Sequence, residues 1–191
     1  MLLASRAGIY TRVVKTLVAA VTGKYADRGN VLDADCVIGH SFGSRDDGPG
    51  IVNQLLAEYI IHYTNSDLPL IVQQEIAQAL VGSDRMAAHI ISGNPSSLLG
   101  SGLDSWTVTS EAKRYMQENG LSRPILVAQA YHIGRVCLET KKQGIAEVIV
   151  PRNLPKEFDP LSSQKWTTHR YAWAGREVLG LAYLKGIAKR I

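Results

Sequence analysis

An α/β fold, with helices on both faces of a mainly parallel central sheet, follows from three features of the sequence. Short apolar runs of strand length recur along the chain, opened by a proline or closed by turn residues; Pro124 to Val127 is the clearest. Between these runs lie stretches whose apolar residues fall three and four apart, the spacing of one helical face. The two patterns alternate, and strand-helix alternation with right-handed crossovers brings the loops after the strands to one edge of the sheet.

Each element has its own local reason. Over residues 5–24, Ile9, Val13, Val14, Leu17, Val18 and Val21 form one stripe, which predicts a helix packed on the sheet. After the turn at 27–30, residues 34–38 form a first strand, and a glycine-rich loop leads to Pro49, a residue suited to a helix's first turn. The next helix has Ile51, Val52, Leu55, Leu56, Tyr59 and Ile60 as its core face. Residues 70–72 are a second strand behind Pro69, followed by a short helix opened by Glu75. Residues 86–91 suit a third strand or an extended linker, and 93–105 a Gly/Ser/Pro loop. Thr109 or Ser110 is expected to cap a helix that Gly120 stops. The strand at 124–127 then feeds a helix ending at Gly144, and residues 146–150 make a further strand closed by Pro151. Residues 152–168 show no period, as expected of a lid or binding loop, before a last helix over 169–190.

Composition bounds the function classes. The 191 residues fit one domain, 1–191, in which the segment 1–30 supplies the packed N-terminal helix. With 46% hydrophobic and 20% charged residues, the chain is of the ordinary globular type. A formal charge of +4, spread without a basic run, argues against nucleic acid as a partner. Cys36 and Cys137 form no C-x-x-C pair, which predicts buried thiols in a reducing compartment and no metal site. No apolar stretch approaches the roughly 18 residues of a membrane span. The acid-free first 26 residues read as an amphipathic helix of a cytoplasmic protein rather than a transit peptide.

The predicted sheet edge gathers polar residues from four loops: His40, Ser41 and Arg45; Gln73 and Glu75; Thr109 and Glu111; His132 and Arg135. Gln129 and Tyr131, beside the last pair, join the ligand-binding set. Standing three apart at a helix start, His132 and Arg135 share a face and suit an anionic or phosphorylated group. The loop from Gly39 to Gly50 contains four glycines, including Gly43, and enters a helix N-terminus; its amides are a candidate anion cradle. Neither G-x-G-x-x-G nor the Walker spacing is met. Gly39-His40-Ser41-Phe42-Gly43 matches the nucleophile elbow in letters, but several loop residues separate Ser41 from the next helix, so Ser41 is read as a hydrogen-bond donor. Arg176 and Glu177 are read as a structural pair.

The block Thr109-x-Glu111-Ala112, then Ile125-Leu126-Val127 leading to Ala130-Tyr131-His132-x-x-Arg135, then Pro151 and a closing helix with an Arg-Glu pair, resembles the YdcF-like family over about residues 33–185. That resemblance implies a Rossmann-like three-layer sandwich with a polar cleft built from Gly39, Gly43, Glu75, Thr109, Glu111, His132 and Arg135. The chain departs from the family pattern where Gln73-Gln74-Glu75 replaces Ser-Gly-Gly and Asn53 replaces a helix arginine. The resulting expectation is a small anionic ligand, phosphorylated or nucleotide-like, with S-adenosylmethionine among the candidates. Gly39 to Gly50 and Arg135 would hold it, His132 would be the general acid, and Glu75 or Glu111 the base of a hydrolase or transferase. A non-catalytic ligand-binding module and, third, a serine hydrolase using Ser41 are the alternatives.

Overall fold

A computed structural model describes residues 18, 22–25, 29–93 and 103–177. Most of the expected first helix and the end of the expected last one lie outside these residues. Four strands form an all-parallel sheet: β1 (Cys36–Gly39), β2 (Leu70–Gln73), β3 (Ala87–Ile91) and β4 (Pro124–Val127). Every residue of β1, β2 and β4 is buried, as strands covered on both faces must be, whereas β3 alternates and lies at the outer end of the order β3-β2-β1-β4. Within the expected strand over 146–150, Ile149 makes a parallel bridge to Ile125, on the far side of β4.

The helices are α1 (Ile51–Tyr63), α2 (Gln74–Ala79), α3 (Ser105–Glu118) and α4 (Ile133–Lys142), with a further helical segment over 170–177. α1 packs with α2 and α3 with α4. With right-handed crossovers, one pair covers each face, giving three layers of Rossmann-like type. None of the helices among the described residues is long and apolar enough to cross a membrane.

Two boundaries depart from the sequence reading, each for a local reason. α3 begins four residues before Thr109, because Asp104 caps it by accepting from the Thr107 amide at 2.8 Å. Glu111 therefore sits in the second turn. The strand β1 ends at Gly39, whose absent Cβ would lie 2.8 Å from Val72 and 3.1 Å from Ile76, so this glycine serves close sheet packing rather than ligand approach.

The order of the sheet fixes where a site can form. The chain lays down β1, β2 and β3 in one direction, then returns to place β4 against the other side of β1. Loops after β1 and β4 therefore leave in opposite directions and open a crevice between them, the usual ligand position in open parallel sheets.

Candidate functional site

The segment after β1 is held by side chains from neighbouring elements. The Ser41 amide donates to Gln73 Oε1 and the Phe42 amide to Asn53 Oδ1, both at 2.9 Å, while Asn53 Nδ2 donates to the carbonyls of Gly43 and Pro49. Asn53 is fully buried, so its amide is a clamp for the loop and not a ligand contact. Gly43 adopts φ 74°, and a Cβ there would stand 2.6 Å from Thr167 Oγ1, which makes glycine necessary.

The anion cradle expected at the start of α1 is occupied from within the chain. Asp159, in the aperiodic 152–168 segment, accepts the Ile51 amide at 3.1 Å and both Nε and Nη2 of Arg45, at 2.8 and 2.7 Å. Hydrogen bonding to Arg45 holds its carboxyl below the usual carboxylate range despite burial. Arg45 is thereby a partner of Asp159, and the helix N-terminus already has its negative charge.

After β4 the chain is fastened to that same segment. Gln129, fully buried, donates to the carbonyls of Lys156 and Glu157 and accepts the Tyr131 amide at 2.7 Å. Tyr131 packs on Phe158 and carries the Arg170 guanidinium 5.7 Å from its ring. Both residues shape the crevice without lining it.

His132 immediately precedes α4, and only 4% of its surface is exposed. Trp173 stands edge-on at 5.0 Å between ring centres, with Phe42 at 6.2 Å and His40 at 6.3 Å. Burial, reinforced by the charges of Arg135 and Arg176, pushes the imidazole's pKa well below its ordinary value. The ring is neutral near pH 7, which suits a base rather than the expected general acid. Its Nδ1, buried and without a hydrogen-bond partner, lies 3.7 Å from Glu177 Oε1, just beyond hydrogen-bonding range. His40 is equally neutral, by burial and then by His132, and neither of its nitrogens has a partner.

Arg135 faces the same way as His132, as its spacing predicts, but its charge is engaged. Its Nε donates to Glu177 at 2.6 Å, and its Nη1 to Ser105 and to Glu139 at 3.3 Å. Burial opposes the guanidinium's charge, yet Glu177 and Glu139 outweigh it and drive its pKa up. Burial in turn raises both carboxyls, Glu139 and Glu177, against the pull of Arg135. Thus Glu177 belongs to Arg135, and the expected Arg176–Glu177 pair is not among the ion pairs of the described residues. Arg176 instead lines the crevice, with its guanidinium 5.7 Å from the Trp166 ring and its Nε buried without a partner.

These elements enclose a polar cavity of about 70 Å³. Of the expected residues it brings together Ser41, Gly43, Gln73, Glu75, His132 and Arg135. Thr109 is fully buried and donates to the Ser105 carbonyl, and Glu111 is paired with Arg114 and His89, so neither lines the cavity. Glu111 is accordingly not placed as the base. No family model matches the chain, and no curated protein or solved structure matches it. The site must be read from its own chemistry.

That chemistry includes Trp173 and Ser105, which the sequence reading passed over, and Arg176, which it assigned to a structural pair with Glu177. Arg176, Trp173 and Ser105 line the cavity from the last helical segment and the start of α3. Nothing in their local sequence marks them, because their neighbours in the site lie on other elements. Ser41 does line the cavity, but α1 starts ten residues later, at Ile51, so the strand-turn-helix of a nucleophile elbow is absent. Among the described residues no cluster of three metal-ligating side chains forms.

Proposed function

We propose that this chain is a Rossmann-like, YdcF-like protein that binds a small anionic ligand, phosphorylated or nucleotide-like, between the ends of β1 and β4. It acts on that ligand as a hydrolase or transferase. The observation that carries this reading is that Arg176 and the neutral imidazole of His132 open on one polar cavity at the sheet's switch point. Arg176 supplies charge for the anion, and Ser41 a hydroxyl. His132 is the base; Glu177 Oε1, 3.7 Å from its Nδ1, places a carboxyl beside the imidazolium that forms once a proton is taken. The cavity of about 70 Å³ admits a head group of a few heavy atoms, so any nucleoside portion would lie outside it. The two buried free thiols, Cys36 and Cys137, support a reducing, cytoplasmic setting.

A thermal-shift panel of inorganic phosphate, nucleotides, sugar phosphates and S-adenosylmethionine tests the reading. A bound member should raise Tm in the wild type and fail to do so in Arg176→Gln, at concentrations saturating the wild type. Prolonged incubation should convert the ligand with wild type and not with His132→Asn. Recovery of an unchanged ligand from the wild type would assign the cleft to a non-catalytic binding module.

A further inference from the structure

Beside Arg135, which is paired, and Asp104, which caps α3, the cavity holds a charged side chain that the binding of an anion does not use. Glu75 is delivered by the direct passage from β2 into α2: Gln73 ends the strand, and Glu75 stands in the helix's first turn, half-buried, on the cavity wall. Its Oε2 is buried and, among the described residues, has no hydrogen-bond partner. Arg176, on the same cavity, has its Nε in the same condition. A carboxylate and a guanidinium that could satisfy each other do not: no ion pair within 4.0 Å joins them among the described residues. Buried polar atoms are ordinarily satisfied, and two of opposite character on side chains that line one small cavity are best served by a single occupant with complementary ends.

We infer that the ligand is bifunctional, carrying an oxyanion for Arg176 and, within the span of this cavity of about 70 Å³, a hydrogen-bond donor, hydroxyl or ammonium, for Glu75. The inference rests on the anion-binding reading above and adds a second requirement to its ligand, one that carboxylates as well as phosphates can meet. Hydroxy acids, amino acids and hydroxyalkyl phosphates meet the requirement; a simple carboxylate or a phosphate without a neighbouring donor leaves Glu75 unserved. Discrimination should be strong, because a site built to accept a hydrogen bond rejects the analogue that lacks the donor.

Isothermal titration with matched probes tests it. Propionate, lactate and alanine differ only in having no donor, a hydroxyl or an ammonium beside the carboxylate; propyl phosphate and glycerol 3-phosphate form a second set that differs in hydroxyls alone. At least one donor-bearing probe should bind tenfold or more tightly than its donor-free partner, and which one does distinguishes hydroxyl from ammonium. Glu75→Gln should erase that advantage while leaving the donor-free anion's affinity unchanged, which also shows the variant to be folded. Arg176→Gln should weaken both kinds of probe. Equal affinities within each matched set, or an advantage that survives Glu75→Gln, overturns the inference and leaves the anion site standing. Failure of every anion to bind overturns both. If Glu75→Gln also loses the donor-free anion, Glu75→Ala with an unchanged melting temperature and the same loss overturns the inference, since Glu75 would then shape the anion site itself.

Discussion

At the scale of single residues, the molecule spends its conspicuous polar side chains on holding loops, and leaves less conspicuous ones facing the cleft. Gln129 and Arg45 looked like ligand contacts because they stand in the loops after strands, and Asn53 because it stands where the family resemblance expects an arginine, yet each is satisfied by the chain's own carbonyls, amides or carboxylate. Asp159 is the key partner. Its side chain is 3% exposed and receives hydrogen bonds from Arg45, Ile51 and Leu161. Asp159→Asn keeps the shape but removes the charge that Arg45 and the helix terminus share, so a loss of about 2 kcal/mol is expected in urea denaturation, discounted for the partial exposure of Arg45. A variant as stable as the wild type would show that the segment is held by something else. The Asn53 clamp was invisible in the sequence because an asparagine in a helix's first turn reads equally well as surface.

At the scale of elements, the aperiodic segment over 152–168 is what turns a strand edge into a site. Its length and lack of period marked it as a lid or binding loop, and the structure shows how it is fixed: through Gln129, through Asp159, and through the Ser163 amide to the Ser44 carbonyl at 2.9 Å. It contributes Trp166 and Thr167 to the cavity wall and delivers the helical segment with Trp173 and Arg176. The start of α3 matters for the same reason, since Ser105 meets Arg135 there. Asp104→Ala removes the cap, and a destabilisation of about 1 kcal/mol is expected by thermal or chemical unfolding. If the cap also positions Ser105, anion binding in calorimetry should weaken in that variant more than a stability change alone would produce. Placing the cap at Thr109 or Ser110 was five or six residues too late, because Asp104 follows a polar stretch that gives no helical period of its own.

At the scale of the whole molecule, buried ionisable groups make stability depend on pH in two opposed directions. His40 and His132 have lowered pKa values, so the stability they contribute is present above about pH 6.5 and is lost as the pH falls and the unfolded chain takes up their protons. Glu139 and Glu177 have raised values, so their contribution is present at low pH and is lost as the pH rises through the folded-state values. The two trends overlap below neutrality, and substitution separates them. Replacing His132 by Asn should flatten the rise of unfolding free energy from pH 5 to 6.5 by an amount approaching 1.4 kcal/mol per pH unit, read from urea titrations at several pH values. An unchanged slope would mean that His132 is accessible to protons in the folded state. Sequence alone determined the parallel sheet, the strand at Pro124–Val127 and the common direction of His132 and Arg135. These follow from local periodicity, which records how often the backbone turns a side chain toward the core. Tertiary structure alone decided which charge meets which. Arg135 with Glu177 and Arg45 with Asp159 join residues 42 and 114 positions apart, and attraction between charges depends on distance in space, which no local pattern encodes.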